Sequence, residues 1–534
     1  MEQANKYRDS SEYPCGMADF EDLRNRGCLY VDKTDIIYKM LKSKFIFMSR
    51  PRRFGKSLLC STLKAYFEGK KELFEGLKIM NLEKEWKRYP VLHFSISGIK
   101  DMPIDQMASG LGFQLRWYED IYGTPSADET TPGKRFMGLI RRARQQTGMQ
   151  VVVIIDEYDA PMLTHMHDEE HKAQVRQILQ EFYQTVKECD ADERFVFITG
   201  ITKFSQMSIF STLNNLSNIT MDKNYASICG ITESELHGIF DIDVEMLADE
   251  YEVGKEEMYA ILKEKYDGYH FLEKTEDIYN PYSLLRAFYH RKLDSYWFAS
   301  GTPTFIINEL KKNGKDILKY EGATATSTEF DQPTENMASP LPLLYQAGYL
   351  TIKSYNPFAS TYVLGTPNAE VKAGLMENIL PIVNGTNRAD NMSYTSKILT
   401  QLYDGEYDGA MKTLQAFLYS IPYMQQGKDY LKDLATLEAF YQRDLYMFFS
   451  GMSALVQCEV MMAEGRTDMV MRMGEKCFVC EFKVSANAKT AIDQIDRKKY
   501  YEPYRTIQRR IIKIGAYFDV KERTLKDWEV EELD

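Results

Sequence analysis

The chain has 534 residues, 44% hydrophobic and 27% charged, an ordinary globular composition that excludes a disordered, collagen-like or disulfide-scaffold protein. Its length is several times a typical domain of about 150 residues, which calls for more than one packed unit. The net charge of −12, from 66 basic and 78 acidic residues, excludes a chain that coats nucleic acid by bulk charge but leaves room for a local basic groove. Eight cysteines are too sparse for a disulfide framework and fit a reducing compartment. No apolar leader and no bilayer-length apolar stretch is visible, so the expected location is cytoplasmic, with no membrane partner.

From about Tyr13 to Ile231, short apolar runs alternate with amphipathic stretches, the pattern of an α/β unit with a mostly parallel sheet. FIFMS (45–49), VLHFSIS (91–97), VVVIIDE (151–157) and RFVFITG (194–200) are the expected strands. They show little strict alternation, which suggests burial on both faces.

The first strand runs into RPRRFGKSLL, where Gly55, Lys56 and Ser57 match the end of the phosphate-loop pattern G-x-x-x-x-G-K-[ST]. Arg50 stands where the first glycine belongs, a departure, because that glycine helps the loop turn around phosphates. The remaining parts still suit ATP and Mg²⁺. Gly55 lets the backbone approach a phosphate, Lys56 reaches the β and γ oxygens, and Ser57 ligates the metal. The helix that begins there, with Leu58 in its first turn, offers free N–H groups. The tripeptide alone reads more readily as a solvated strand-to-helix turn. Farther on, however, Asp156 and Glu157 end an apolar strand, in the order of a metal-supporting and a water-activating carboxylate. Thr199, at the end of the last strand, is the expected sensor of the γ-phosphate.

After Thr232 the pattern turns helical, with Thr232 and Glu235 at capping-box spacing. GATATSTEFDQPTENMASP (322–340) reads as a long loop. The next segment reads as a helix and two strands, YLTIKSY and TYVLGT, around an Asn-Pro turn. That is the outline of a winged helix, a module that binds DNA in some proteins and only packs in others. Helices are expected over 379–450 and a strand-helix mixture from Val456 onward. The expected division is therefore 1–231, 232–378 and 379–534.

GRTDMVMRMGEKCFVCEFKVS (465–485) reads as a β-hairpin turning at Gly474-Glu475. With a two-residue loop, Met473 faces Lys476 and Asp468 faces Glu481. Their Cβ atoms would then lie ~5 Å apart, close enough for both carboxylates to hold one Mg²⁺. Lys483 shares that face and could position a water and stabilise developing charge. A solvated cross-strand ion pair would use the same residues, yet Glu481 interrupts an apolar strand, where a carboxylate needs a reason.

RKKYYEPYRTIQRR (497–510) interleaves six basic residues with Tyr500, Tyr501 and Tyr504. The composition suits a phosphate backbone and also a solvated helix. Cys477 and Cys480 sit at odd spacing on one strand, so they read as core thiols on opposite faces. His165, His167 and His171 lack a fixed third ligand and read as a polar surface loop. No histidine follows His290, so any cutting chemistry near the C-terminus falls to carboxylates and a lysine.

YPCGMADFEDLRNRGCLYVDKT (13–34), RPRRFGKSLL, VVVIIDEYDAP, ITGITKFSQMSIFSTLNNL (198–216), KYDGYHF (265–271) and LLYQAGYLTI (343–352) together resemble bacterial AAA-ATPase-like proteins that carry a C-terminal PD-(D/E)XK nuclease domain. The resemblance implies a P-loop NTPase parallel sheet, a helical and winged-helix middle, and a restriction-endonuclease-like α/β domain at the end. Arg50 fits that family's RPRRFGKS pattern. Asp468, Glu481 and Lys483 match the nuclease motif residue by residue. Glu459 as a further metal ligand, Glu438, and Gln494 as a further catalytic residue match it less specifically. The implied activity is ATP binding and hydrolysis, with Glu157 catalytic, coupled to a Mg²⁺-dependent nuclease acting on nucleic acid, with DNA expected. The alternatives are a nucleotide-switched interaction protein whose nuclease fold does not cut, and an ATPase regulator with no nucleic-acid role. AAA modules often take an arginine from a neighbouring subunit. No arginine here identifies itself as that group, and a homo-oligomer stays an open expectation.

Overall fold

In the computed structural model, residues 12–203, 216–299, 304–313, 320–334, 337, 339–421, 448–449, 456–462, 465–473, 475–484, 486–505, 510–519, 522 and 524–533 are described. The chain forms two units, Met1–Asn308 with Leu318–Asn368, and Glu309–Ile317 with Ala369–Asp534.

In the first unit, runs of β-branched and aromatic residues form β1 (Phe45–Ser49), β2 (Val91–Ser95), β3 (Val151–Asp156) and β4 (Glu193–Gly200), with β5 (Ser217–Asn218) at one edge. The order is β2-β3-β4-β1-β5 and every pairing is parallel. All residues of β1 and β3 are buried, as expected for strands covered on both faces. Helices pack on them through aromatic contacts. Phe67, on the helix Lys56–Phe67, meets Phe195 of β4 at 5.1 Å. Phe94 of β2 meets Phe136 and Phe182 of two other helices at 5.1 and 5.6 Å.

A second core follows in the same unit. β6 (Ile231–Thr232) and β7 (Ile278–Tyr279) pair antiparallel. Four helices, Glu233–Ile239, Asp241–Glu250, Lys255–Tyr266 and Pro281–His290, bury Leu236, Phe240, Leu247, Leu262, Leu284 and Phe288 together. The capping box at Thr232 and Glu235 is present. Glu235 also takes the Lys33 ammonium at 2.6 Å, which ties the N-terminal segment to this helix. Asn280 caps the last helix, its Oδ1 accepting from Tyr282 and Ser283 N–H.

β8 (Thr324–Ala325), β9 (Thr351–Asn356) and β10 (Thr361–Gly365) form an antiparallel sheet in the order β8-β10-β9. The wing turns where Asn356 Oδ1 accepts from Phe358 and Ala359 N–H. The long loop expected over 322–340 holds more structure than its polar composition suggested. Thr324 and Ala325 add an edge strand, which pairs through backbone alone. Thr326 and Glu329 then form a capping box that opens a helical turn, Ser327–Phe330. That turn buries Phe330 against Tyr345 and Tyr362.

The second unit holds the helices Ala369–Asn384, Arg388–Asp404 and Tyr407–Ser420 and a sheet of β11 (Val456–Met462), β12 (Gly465–Met473), β13 (Lys476–Lys483), β14 (Arg510–Asp519) and β15 (Thr524–Leu533) in that order. Pairings are antiparallel except β13 with β14, which is parallel. A parallel pair needs a crossover, and the helix Ala488–Lys498 supplies it. Among the described residues no helix is long and apolar enough to cross a membrane.

Candidate functional site

In the first unit the chain leaves β1 at Ser49 and enters the helix at Lys56. Gly55, at φ 88, makes the left-handed turn into that helix, which a side chain would strain. The helix's first backbone bond runs from Leu59 N–H to Gly55 C=O, so the Lys56, Ser57 and Leu58 amides have no helical partner. Lys56 is buried, and its Nζ donates to the Arg50 and Pro51 carbonyls at 3.0 and 2.9 Å. Burial pulls its ammonium pKa down, against Asp156, Asp159 and Glu157.

Ser57 is the second residue of that helix, and Asp156 ends β3. Asp156 is 4% exposed, and its Oδ1 has no hydrogen-bond partner. Burial pushes its carboxyl pKa up, opposed by the nearby Ser57 side chain and the Lys56 charge. Glu157, directly after β3, sits at φ 51, a conformation that non-glycine residues hold only when their surroundings enforce it.

Arg50 needs no glycine's freedom, since its φ is not positive. Its guanidinium turns inward, 1% exposed, and donates to the carbonyls of Ser49, Thr220 and Tyr225 at 2.7–3.1 Å. It lies 4.1 Å from the Phe271 ring centroid, a cation–π contact that helps hold a buried charge. Beside Phe54, Gly55 and Leu58 opens an apolar pocket lined by Leu29, Tyr30, Val31, Ile228 and Pro281.

In the second unit the β12–β13 register runs from Met473↔Lys476 to Met469↔Cys480. One step further, side chains replace the ladder. Asp468 Oδ2 accepts from Phe482 N–H at 2.7 Å, and the Thr467 hydroxyl donates to Cys480 C=O at 3.1 Å. Glu481 is 2% exposed. Its Oε1 accepts from Lys483 Nζ at 2.8 Å and from the Gln494 amide, while Oε2 is buried with no hydrogen-bond partner. Burial first, then the Asp468 charge, push the Glu481 carboxyl well above the usual carboxylate range, with Lys483 pulling the other way.

Gln494 reaches Glu481 because its helix lies close to the sheet at Gly515, the β14 partner of Glu481. A Cβ at Gly515 would come within 2.6 Å of the Ala488 carbonyl and 2.8 Å of Ile492 Cγ1.

Two acids and a lysine meeting at the mouth of a β-hairpin agree with what the comparisons find. The description Predicted AAA-ATPase matches residues 14–210, and PD-(D/E)XK nuclease superfamily matches residues 436–528. A protein of Azotobacter chroococcum mcd 1, described as an uncharacterized protein in the vnfD 5′ region, is 32% identical over 528 residues, 97% of this chain and 99% of its own length. The chain belongs to the AAA-ATPase-like family with a C-terminal PD-(D/E)XK domain.

In the AAA-ATPase-like unit the structure brings Gly55, Lys56, Ser57, Leu58, Asp156 and Glu157 to one end of the sheet. Thr199 lies near the end of β4. It is fully buried, and its hydroxyl donates to the Met48 carbonyl of neighbouring β1 at 2.7 Å, so the sheet already uses it. Asp159 was missed. Its carboxylate accepts from Ile201 and Thr202 N–H and from the Thr202 hydroxyl, clamping the turn after β4. The third acid of DEYD was the available signal. The apolar pocket was also missed, because its walls come from distant segments.

In the PD-(D/E)XK domain Asp468, Glu481, Lys483 and Gln494 come together as expected. Glu459 falls between the pairs Cys458↔Met469 and Val460↔Thr467, the register position opposite Asp468. Its side chain, and Glu438, lie outside the described residues. Cys477 and Cys480 are buried core thiols. Gly515 was missed, although a glycine inside the apolar run IIKIGAYF is a sign of close approach.

Proposed function

We propose that the protein binds and hydrolyses ATP in the first unit and cuts nucleic acid, DNA by this reading, in a Mg²⁺-dependent reaction in the second, and that it works in the cytoplasm. The observation that carries the reading is Glu481. A buried carboxylate with one oxygen held by Lys483 and Gln494 and the other without a partner is costly unless a cation completes it. Asp156, with its partnerless Oδ1, supports the first unit in the same way.

Held by Ser57 and Asp156 in one site and by Asp468, Glu481 and Glu459 in the other, Mg²⁺ would supply charge neutralisation at phosphate oxygens and acidify bound water. Lys56 exchanges its loop carbonyls for β and γ oxygens. The Lys56, Ser57 and Leu58 amides bind the remaining phosphate charge. The pocket at Tyr30, Ile228 and Pro281 takes the adenine, and Glu157 orients the attacking water and accepts its proton. In the second site Lys483 orients the attacking water and donates to the phosphate oxygen that gains charge. Gln494 keeps Glu481 from rotating.

The test is incubation of purified protein with plasmid, single-stranded DNA and RNA, with Mg²⁺ or Mn²⁺, with and without ATP, beside Lys56→Ala and Glu481→Ala. The expected result is cleavage that is lost in Glu481→Ala and is altered by ATP or in Lys56→Ala. No cleavage under any condition, with ATP turnover still lost in Lys56→Ala, would replace this reading by a nucleotide-switched binding protein.

A further inference from the structure

Behind the phosphate loop, three side chains from three elements converge in a way that the nucleotide chemistry does not require. Cys60 lies one helical turn after Lys56 and is fully buried. His93 of β2 pairs with Ile154 of β3, two residues before Asp156, so His93 and Asp156 project from the same face of the pleated sheet. The Cys60 sulfur, one His93 ring nitrogen and one Asp156 oxygen all lie within 4.8 Å of one another.

Two of these groups are incompletely satisfied. His93 Nε2 and Asp156 Oδ1 are buried atoms with no hydrogen-bond partner. Leaving a buried polar atom unpaired carries an uncompensated desolvation cost. An apolar side chain at position 93 would avoid that cost. The arrangement is therefore better explained by something the three atoms bind in common than by packing.

We propose that Cys60, His93 and Asp156 form a binding site for a thiophilic divalent cation of the zinc class. Thiolate, imidazole and carboxylate are the donors such an ion takes, three from protein and a water as the fourth in a tetrahedral set. The same donors select against Mg²⁺, which prefers six oxygens. On binding, the Cys60 S–H proton passes to solvent and the sulfur bonds the metal. Asp156 then serves this ion, so occupancy and ATP·Mg²⁺ binding compete. That consequence rests on the proposed nucleotide reading; the site itself does not.

Cobalt(II) is the probe, because thiolate ligation gives it a near-ultraviolet charge-transfer band and tetrahedral geometry gives it intense visible bands. Full-length, reduced, chelator-stripped protein is titrated with Co²⁺ in the absence of nucleotide. The expected result is one equivalent per chain with both features, bleached by one equivalent of Zn²⁺. Cys60→Ala should lose the charge-transfer band, and His93→Gln should weaken Co²⁺ binding at least tenfold. A wild-type spectrum without thiolate ligation, or one that persists unchanged in both variants, would overturn the proposal. Should Cys60→Ala not fold, His93→Gln, at a partly exposed position, decides alone. The readout is independent of ATP, so a failure of the ATPase reading leaves it intact.

Discussion

The two sites each hold a lysine near a buried acid, and they keep the charges differently. In the AAA-ATPase-like unit Lys56 rests on two backbone carbonyls while Asp156 keeps a buried carboxylate oxygen without a hydrogen-bond partner. In the PD-(D/E)XK domain Lys483 pairs directly with Glu481. A neutral carbonyl is a weaker partner for an ammonium than an anionic oxygen. On the proposed reading Lys56 is therefore parked where a phosphate would claim it, whereas Lys483 is held to Glu481. The first arrangement suits a ligand that brings its own charge and leaves again. The second suits a fixed catalytic centre.

The strongest way to break the contrast is at Glu481. Glu481→Gln keeps the shape and removes the charge, and should lower cleavage about 10²–10³-fold, the scale of losing one preorganised electrostatic group. Timed plasmid digestion measures it, and near-normal cutting would refute a catalytic role. Next comes Lys56→Ala, which should weaken ATP binding about 10–100-fold, the worth of a hydrogen bond to a charged group. Titration with a fluorescent ATP analogue reads this directly, and the contrast fails if Lys483→Ala has the same effect.

Gly515→Ala tests the scaffold under the second site. The added methyl meets the Ala488 carbonyl and Ile492, so the protein should lose about 1–3 kcal/mol, the usual cost of overpacking. Denaturant melts would show the loss, and cleavage should fall with it because Gln494 moves.

The smallest effect is a dependence on pH. The Glu481 carboxyl is raised by burial and by Asp468. Its contribution to stability is complete below the ordinary Glu pKa of about 4.3 and is lost as pH rises through the raised value. In chelator at neutral pH, Glu481→Gln should be more stable than the parent by about 1 kcal/mol, and Mg²⁺ should remove that difference. Glu193 is the control. Fully buried at the start of β4, it is pushed up to about 9 by desolvation first. Its stability contribution is lost over the same direction of pH, but Mg²⁺ should not restore it. Calorimetry from pH 5 to 9 distinguishes the two acids.

The hairpin register was legible because a two-residue turn leaves only one alignment, and Met473↔Lys476 then dictates every later pair. The four longer strands of the parallel sheet were legible because continuous apolar runs have few other uses. The hydrogen bond of Thr199 was not legible, because a polar residue at a strand end looks the same in sequence whether its hydroxyl faces a ligand or a neighbouring carbonyl. The Asp159 clamp, the pocket of Tyr30, Ile228 and Pro281, and the Gly515 contact depend on residues distant in the chain. No local pattern announces such contacts. The edge strand β8 was hidden for a related reason, since backbone pairing asks little of side chains.

Arg50 has a mechanical consequence. Its guanidinium grips three carbonyls and the Phe271 ring from behind the loop, so the loop is bolted at its root. The rest of the loop is held as well: Phe54 is buried with its ring against Tyr269 and Phe271, the Arg52 carbonyl accepts from the Trp297 indole N–H at 3.3 Å, and the Arg53 guanidinium lies over the Tyr282 ring. A loop clamped from behind at Arg50 and again at Phe54 is set in shape beforehand, so a ligand that binds it has little left to order.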